Sequence, residues 1–371
     1  MIRELTIPGL AVPVLFGRGA LERVGERAAA LEGQRVLLVS DPGIAAAGHV
    51  DRAESSLRRS GVEVRVFDEA EENPTTVCVD KAVAAAREHR ADLLVGLGGG
   101  SSMDCAKGCN FILTNGGRMQ DYWGIAKATH PMLPLIAVPT TAGTGSEAQS
   151  FALITDPSTH QKMACGDKKA LPALAILDAD LTATQPAKVA AATAIDAVAH
   201  AVETAGCLKA NDISRPLSRE AWRLLDSSFE RAMRTPDDVD ARQNMLLGAH
   251  LAGAAIENSM LGAAHAAANP LTAKFRIVHG AAVGMMLPHV IRFNAADANP
   301  YNDLEPDAEK LARRIEMMLL IASLPRRLSD CAVQSADIDE LAAGAAQQWT
   351  ANFNPRPVDA PAFRAIYQMA L

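Results

Sequence analysis

Asp196 and His200 stand four residues apart in TAIDAVAHAVET, a spacing that puts both side chains on one face of one helix. Their short alanine neighbours leave room beside that face for an ion. His265, in GAAHAAANP, and His279, in IVHG, would bring the donor set to four. One carboxylate with three imidazoles suits Fe(II) or Zn(II), whereas Mg(II) and Ca(II) want mostly oxygen. Such an ion acts as a Lewis acid. Spacing alone leaves open whether His265 and His279 converge on the pair. His250, in the apolar pattern LLGAHLAGAA, reads as a core side chain, and His49, His89, His130, His160 and His289 have no partner pattern.

A second kind of chemistry lies in ADLLVGLGGGSSMDCAKG, where an apolar strand runs into Gly98, Gly99 and Gly100 and a helix opens near Ser101 or Ser102. Free N–H groups and the helix dipole at such a start favour a pyrophosphate, and consecutive glycines let it approach the main chain. The run is neither a dinucleotide fingerprint nor a P-loop: from Gly96 it reads G-x-G-x-x-S and from Gly98 G-x-G-x-x-M. Alone, it is equally a tight strand-to-helix turn. PTTAGTGSE follows another apolar strand and offers the hydroxyls of Thr140, Thr141, Thr144 and Ser146 to phosphate or ribose. Asp41, in the turn SDPG after RVLLVS, can accept from adenosine ribose hydroxyls and repel a 2′-phosphate, which favours NAD over NADP. It is also what an ordinary turn or helix cap would use.

These residues need a frame to hold them. Strands are expected at 35–40, 62–68, 91–98, 133–140 and 174–180, with helices such as 79–90 and 102–114 between them. Strand and helix in alternation imply right-handed crossovers and a parallel sheet. Beyond TATQP, at 182–186, the apolar spacing turns almost wholly helical. The expectation is an α/β dinucleotide-binding domain over 1–186 and an all-α metal-binding domain over 187–371.

Composition narrows the partners. A net charge of −7 with no long basic run argues against a nucleic-acid backbone as ligand. No stretch approaches the roughly 20 apolar residues that span a bilayer, so no membrane partner is expected. MIRELTIPGLAVPVLFG has an acid near its start and prolines in its apolar stretch, and does not read as a signal peptide. Six cysteines without a Cys-x-x-Cys pair read as reduced thiols of a cytoplasmic protein, with Cys105 and Cys109 packing on one helix face.

GGGSSMDCAK, PTTAGTGSE, the Asp196–His200 segment and GAAHAAANPLTAKFRIVHG together resemble the iron-containing (group III) alcohol dehydrogenase family, in order and from FGRGALERVG to NPRPV. The resemblance implies the dehydroquinate synthase-like architecture of an α/β domain followed by a helical one, with the active site in the cleft between them. It makes Asp196, His200, His265 and His279 the ligands of a divalent metal, Fe(II) first and Zn(II) as the alternative. Gly98, Gly99, Gly100, Ser101, Thr140, Thr141 and Thr144 become NAD(H) contacts, with Asp104 and Ser146 of the same motifs counted among them. Asp41 becomes the carboxylate that selects NAD, and Lys162 a lysine bordering the cofactor. The implied activity is hydride transfer between nicotinamide and a small primary alcohol or aldehyde held at the metal, by a homodimer.

One position departs from that pattern. Asn269 stands where many family members carry a second histidine thought to pass the alcohol proton to solvent, and an amide is no base near neutral pH. Proton transfer through water and the ribose hydroxyl is the expectation. Phe151, Trp123 and Phe275 are candidate walls for an apolar pocket. The nearest competing reading is a glycerol-dehydrogenase-like or other polyol or hydroxyacid oxidoreductase of the same superfamily. A dehydroquinate synthase would need more basic groups around the metal motifs; a metal-dependent hydrolase would leave the glycine turn without a role. A nucleotide binder without metal chemistry would leave all four ligand candidates without one.

Overall fold

The computed structural model describes residues 2–159 and 161–371, so His160 lies outside the described residues. Two compact units emerge, the first running to Thr141 and resuming over Ser146–Gln185, the second made of Ala142–Gly145 and Pro186–Leu371.

Among its described residues the first unit carries ten strands: β1 Arg3–Leu5, β2 Val14–Phe16, β3 Arg35–Val39, β4 Glu63–Phe67, β5 Leu93–Gly98, β6 Gly124–Ile125, β7 Leu135–Pro139, β8 Phe151–Asp156, β9 Gln161–Gly166 and β10 Leu174–Leu177. Its helices are α1 Val24–Ala30, α2 Pro42–Ala46, α3 His49–Arg59, α4 Thr76–His89 and α5 Gly100–Asn115. Seven strands form one sheet in the order β1-β2-β10-β7-β5-β3-β4, parallel throughout except for β1 against β2. All five expected strands lie in it. Alternate residues of β3 and β5 serve two cores: Leu37, Val39 and Leu94 pack with Val79, Val83 and Ala106 of α4 and α5, while Val36, Leu38, Val95 and Leu97 pack with Val24, Val50 and Leu57 of α1 and α3. Burial on both faces is why these runs are continuously apolar.

The chain leaves β3 outward to β4 and then crosses back to β5 on the other side, so the order reverses between β3 and β5. In open α/β sheets that reversal opens a crevice at the carboxyl ends of the strands, where ligands bind. The turn holding Asp41 follows β3, and the glycine turn follows β5.

Three details depart from expectation. The helix after the glycines begins at Gly100 rather than at Ser101 or Ser102, with Gly99 at its N-cap. The preceding helix starts at Thr76 rather than 79, because the Thr75 hydroxyl accepts from the Cys78 N–H at 3.2 Å and caps it. A separate three-stranded sheet, β6-β9-β8, was not anticipated; its strands mix polar and apolar residues without a sustained period of two.

The second unit contains α6 Ala187–Gly206, α7 Ser214–Arg234, α8 Val239–Asn258, α9 Ala263–Phe275, α10 His279–Asn294, α11 Ala308–Ile321, α12 Ile338–Ala346 and α13 Ala360–Ala370, with no strand among its described residues. The loop Ala142–Gly145 approaches its helices closely where glycines allow. A Cβ at Gly145, itself at φ +63°, would stand 2.6 Å from the Gly253 Cα of α8, and one at Gly143 would stand 2.5 Å from the Thr193 Cβ of α6. The glycines of PTTAGTGSE therefore let this loop seat against α6 and α8. No helix of the described residues is long and apolar enough to cross a membrane.

Candidate active-site residues

In the first unit the glycine turn and its neighbours form a cradle of donors. Gly98 sits at φ +153°, and a Cβ there would collide with the Ser102 hydroxyl and lie 3.1 Å from Asp41 Oδ2. Only glycine lets the strand end so close to the next helix. At Gly99 a Cβ would meet nothing nearer than Thr141 Cγ2 at 3.6 Å, so the main chain at the start of α5 is open to approach. The Oγ1 atoms of Thr140 and Thr141 are buried and have no hydrogen-bond partner among the described residues. Buried hydroxyls are rarely left unsatisfied, and two of them beside a helix start fit an anionic ligand such as a pyrophosphate.

The other expected contacts divide. Asp41 keeps one oxygen on the Ile44 N–H at 3.1 Å, capping α2, and accepts from the Ser102 hydroxyl with the other at 2.8 Å. Ser101 Oγ accepts from the Asn73 N–H at 3.1 Å, and Lys162 Nζ donates to Asn73 Oδ1 at 2.8 Å, so Asn73 links Ser101 to Lys162. Asp104 turns inward: Oδ1 accepts from the Ser146 hydroxyl at 2.8 Å and Oδ2 from the Leu153 N–H at 3.2 Å. Burial pushes its carboxyl above the usual range despite Lys107 and Ser146 nearby. Lys107, fully buried, donates to the Ser146 carbonyl, the Ser146 hydroxyl and the Phe151 carbonyl at 2.7, 2.8 and 2.9 Å. Asp104 and Ser146 thus belong to a polar brace that ties the 146–153 segment to α5. Thr144 falls in the second unit, apart from Thr140 and Thr141. Neither Asn73 nor Lys107 stood out in the sequence, although Lys107 lies inside the glycine-turn motif.

The second unit assembles the metal-type donors. Asp196, His265 and His279 each offer a ligand atom, and these atoms lie within 4.8 Å of one another. They come from α6, α9 and the first residue of α10. His200, one turn after Asp196, directs Nε2 to within 3.7 Å of Asp196 Oδ1, and its ring stacks on that of His265 at 4.9 Å. His265 Nε2 is 3.5 Å from the same oxygen, and the His279 ring lies 5.4 Å from that of His265. Asp196 Oδ1 and His265 Nε2 are buried without a hydrogen-bond partner among the described residues. Two orphaned, inward-facing ligand atoms among imidazoles are what a soft-to-borderline divalent cation would satisfy.

The cluster is electrostatically polarised. Burial opposes the charged form of Asp196, yet His200, His265 and His279 hold its carboxyl far below the usual range. Burial pushes His200 below its ordinary value, with Asp196 pulling the other way. Burial also opposes protonation of His265, but the Glu203 and Asp196 carboxylates override it and hold the ring up at about 9. Glu203, missed by the sequence reading although it sits in TAIDAVAHAVET, bonds to His265 Nδ1. Asn269, one turn after His265, donates from Nδ2 to Gln348 Oε1 at 2.9 Å.

Residues 12–179 match the family model described as iron-containing alcohol dehydrogenase, and residues 190–371 match that of the Fe-containing alcohol dehydrogenase family, C-terminal. The chain belongs to the iron-containing alcohol dehydrogenase family. It is 35% identical to the 1,3-propanediol dehydrogenase of Klebsiella pneumoniae over 96% of each chain, and 30% identical to the NAD-dependent methanol dehydrogenase of Bacillus methanolicus over 96% of this chain and 97% of that one. The alcohol dehydrogenase from Oenococcus oeni superposes with a TM-score of 0.93 at 30% identity, over 97% of this chain and 98% of that one. The enzyme is an NAD(H)-linked, metal-dependent alcohol oxidoreductase.

The remaining side chains of interest do not compete for this role. His250 is fully buried in α8, and all six cysteines are free. Burial pushes the Cys109 thiol up to about 12, which leaves it inert. Of the three aromatic candidates, Phe151 is half-buried at the start of β8, Trp123 is 44% exposed, and Phe275 lies in the last turn of α9 beneath Lys274.

Proposed function

We propose that this dehydrogenase interconverts short primary alcohols and their aldehydes, with Asp196, His200, His265 and His279 holding the metal. The observation that carries this reading is the pair of buried ligand atoms, Asp196 Oδ1 and His265 Nε2, that have no hydrogen-bond partner among the described residues, within a three-residue set no wider than 4.8 Å. Fe(II) is the proposed ion, with Zn(II) able to take the same donors by the general affinity order. Bound there, a divalent ion supplies Lewis acidity that lowers the pKa of the alcohol and polarises the aldehyde.

The chain's own residues do the rest. The amides at the start of α5 and the hydroxyls of Thr140 and Thr141 bind the pyrophosphate of NAD(H), while Asp41 accepts from the adenosine ribose and repels a 2′-phosphate. Gly98 keeps that turn tight enough for both. Ser101 and Lys162, joined through Asn73, border the same turn; Asp104 and Ser146 position it rather than touch the cofactor. Asn269 takes no proton: it is an amide, held by Gln348, so the alcohol proton leaves by water and the ribose hydroxyl.

Primary alcohols are favoured because those named for the relatives, 1,3-propanediol and methanol, are primary. A cytoplasmic setting is supported by six free cysteines in a chain of this length. A homodimer is the proposed assembly, with β1, which among the described residues pairs with β2 alone, offering an edge to a second copy.

The test is NADH oxidation with a panel of short aldehydes and ketones, on protein stripped with a chelator and refilled separately with Fe(II) and Zn(II). Turnover should depend on the metal and vanish in His265→Ala and His279→Ala while NADH binding persists. Equal turnover before and after stripping would defeat the metal assignment.

A further inference from the structure

We propose that Glu203 is the positioning residue that makes His265 a metal ligand, by fixing which ring nitrogen carries the proton. This rests on the reading of Asp196, His200, His265 and His279 as the metal site. Glu203 lies on α6, three residues beyond His200, and is buried. Its Oε2 meets His265 Nδ1, and its Oε1 accepts from the Ala264 N–H at 2.7 Å. A carboxylate only accepts, so His265 Nδ1 must be the protonated nitrogen. In the neutral ring the lone pair is then on Nε2, the atom that lies 3.5 Å from Asp196 Oδ1 and has no hydrogen-bond partner among the described residues.

The second contact shows why a carboxylate stands here. The free amides that open α9 need acceptors. Asn354 Oδ1 serves Ala263 at 3.3 Å and Glu203 Oε1 serves Ala264. Gly262 makes room for both: a Cβ there would stand 3.1 Å from Asn354 Oδ1 and 3.2 Å from Glu203 Oε1. Capping alone is met by the neutral amide of Asn354, without burying a charge at a cost. What a carboxylate adds is a second acceptor oxygen, which holds the His265 proton on Nδ1 while the first pins the backbone of the preceding residue. One side chain thus sets both the place and the tautomer of the ligand, as partners behind metal-bound histidines do.

A glutamine at this position cannot do both. With its oxygen on Ala264 it presents its amine to His265 Nδ1, which drives the proton to Nε2; turned round, it sets a donor against the Ala264 N–H. The experiment measures Zn(II) affinity by competition with a chromogenic chelator in wild type, Glu203→Gln and Asn354→Ala, with thermal melting of each metal-free protein. Zinc binding by Glu203→Gln should weaken about 10- to 100-fold with little change in melting. Asn354→Ala, which loosens the start of α9 but leaves the His265 partner in place, should melt earlier and keep its zinc affinity within a few-fold. Equal zinc affinity in wild type and Glu203→Gln would overturn the proposal. Histidine ¹⁵N shifts of the zinc-loaded wild type test it without any variant: His265 should carry its proton on Nδ1 and ligate through Nε2, and the reverse would overturn it. A wild type that binds no zinc at this site would instead sink the metal reading, and the role of Glu203 with it.

Discussion

Ser102 donates from its hydroxyl to Asp41 Oδ2 at 2.8 Å, joining the first turn of α5 to the turn after β3 where the strand order reverses. Asp41 also caps α2 through Ile44, so one carboxylate braces two helix starts and keeps lone pairs for a ribose. The two roles separate by mutation. Asp41→Asn retains an acceptor for the cap but loses the charge, and should narrow the preference for NADH over NADPH at least tenfold in kcat/KM with little change in melting. Asp41→Ala should narrow it as much and also lose about 1 kcal/mol of stability through the missing cap. An unchanged cofactor ratio in both would remove Asp41 from cofactor selection.

Thr140 and Thr141 give a prediction of opposite signs. Each hides a hydroxyl with no hydrogen-bond partner among the described residues, a cost to the folded protein on its own. Thr140→Val and Thr141→Val should leave thermal stability unchanged or raise it. Each should weaken NADH binding about tenfold, the worth of one hydrogen bond to a charged group. Fluorescence titration with NADH and calorimetry on the same samples check both halves; a variant that melts early and binds normally would make the hydroxyl structural.

How far these sites could be read from sequence depends on how local their signals are. Asp196 and His200 are legible because helix periodicity alone puts them on one face, and the apolar runs of β3, β5 and β7 are legible because both faces are buried. Asp104 and Ser146 each sit in a motif that suggests phosphate, and their hydrogen bonds to Leu153 and Lys107 are not legible because only the fold brings those partners near. Gly143 and Gly145 likewise answer to Thr193 and Gly253, distant in sequence. Glu203 is hidden for the same reason, since nothing in its own helix shows that Ala264 and His265 arrive beside it.

Acid stability should show the pairing of Glu309 with Arg292 and Arg313. Hydrogen bonds from these two arginines hold the Glu309 carboxyl down at about 2. A carboxyl lowered on folding stabilises the protein above its unfolded value, near 4.5, and that contribution drains away as pH falls through the folded value. Because the side chain is 43% exposed, solvent limits the effect to roughly 0.5 kcal/mol. Glu309→Gln should therefore melt slightly earlier than wild type at about pH 6 and nearly together with it at about pH 2. Melting curves that stay separated by the same amount at both would show that the ion pairs are not the cause.

Gly280 follows His279 directly, and a Cβ there would overlap the Ala192 carbonyl oxygen of α6 and stand 3.1 Å from the Asp196 Cβ. A backbone oxygen cannot swing aside, so in Gly280→Ala the helices α6 and α10 must separate, taking His279 from Asp196. The substitution should cost roughly 1–3 kcal/mol, the usual range for overpacking, and weaken metal binding at least tenfold. Gly284, one turn further along α10, provides the contrast. A Cβ there would meet Ile195 Cγ1 at 2.8 Å and Leu319 Cδ2 at 3.0 Å, which are side-chain atoms that can give. Gly284→Ala should lose stability by a smaller amount and keep its metal affinity. Calorimetry with zinc competition on both variants decides the point: equal metal affinity in Gly280→Ala and wild type would mean that the spacing of α6 and α10 does not hold the site together.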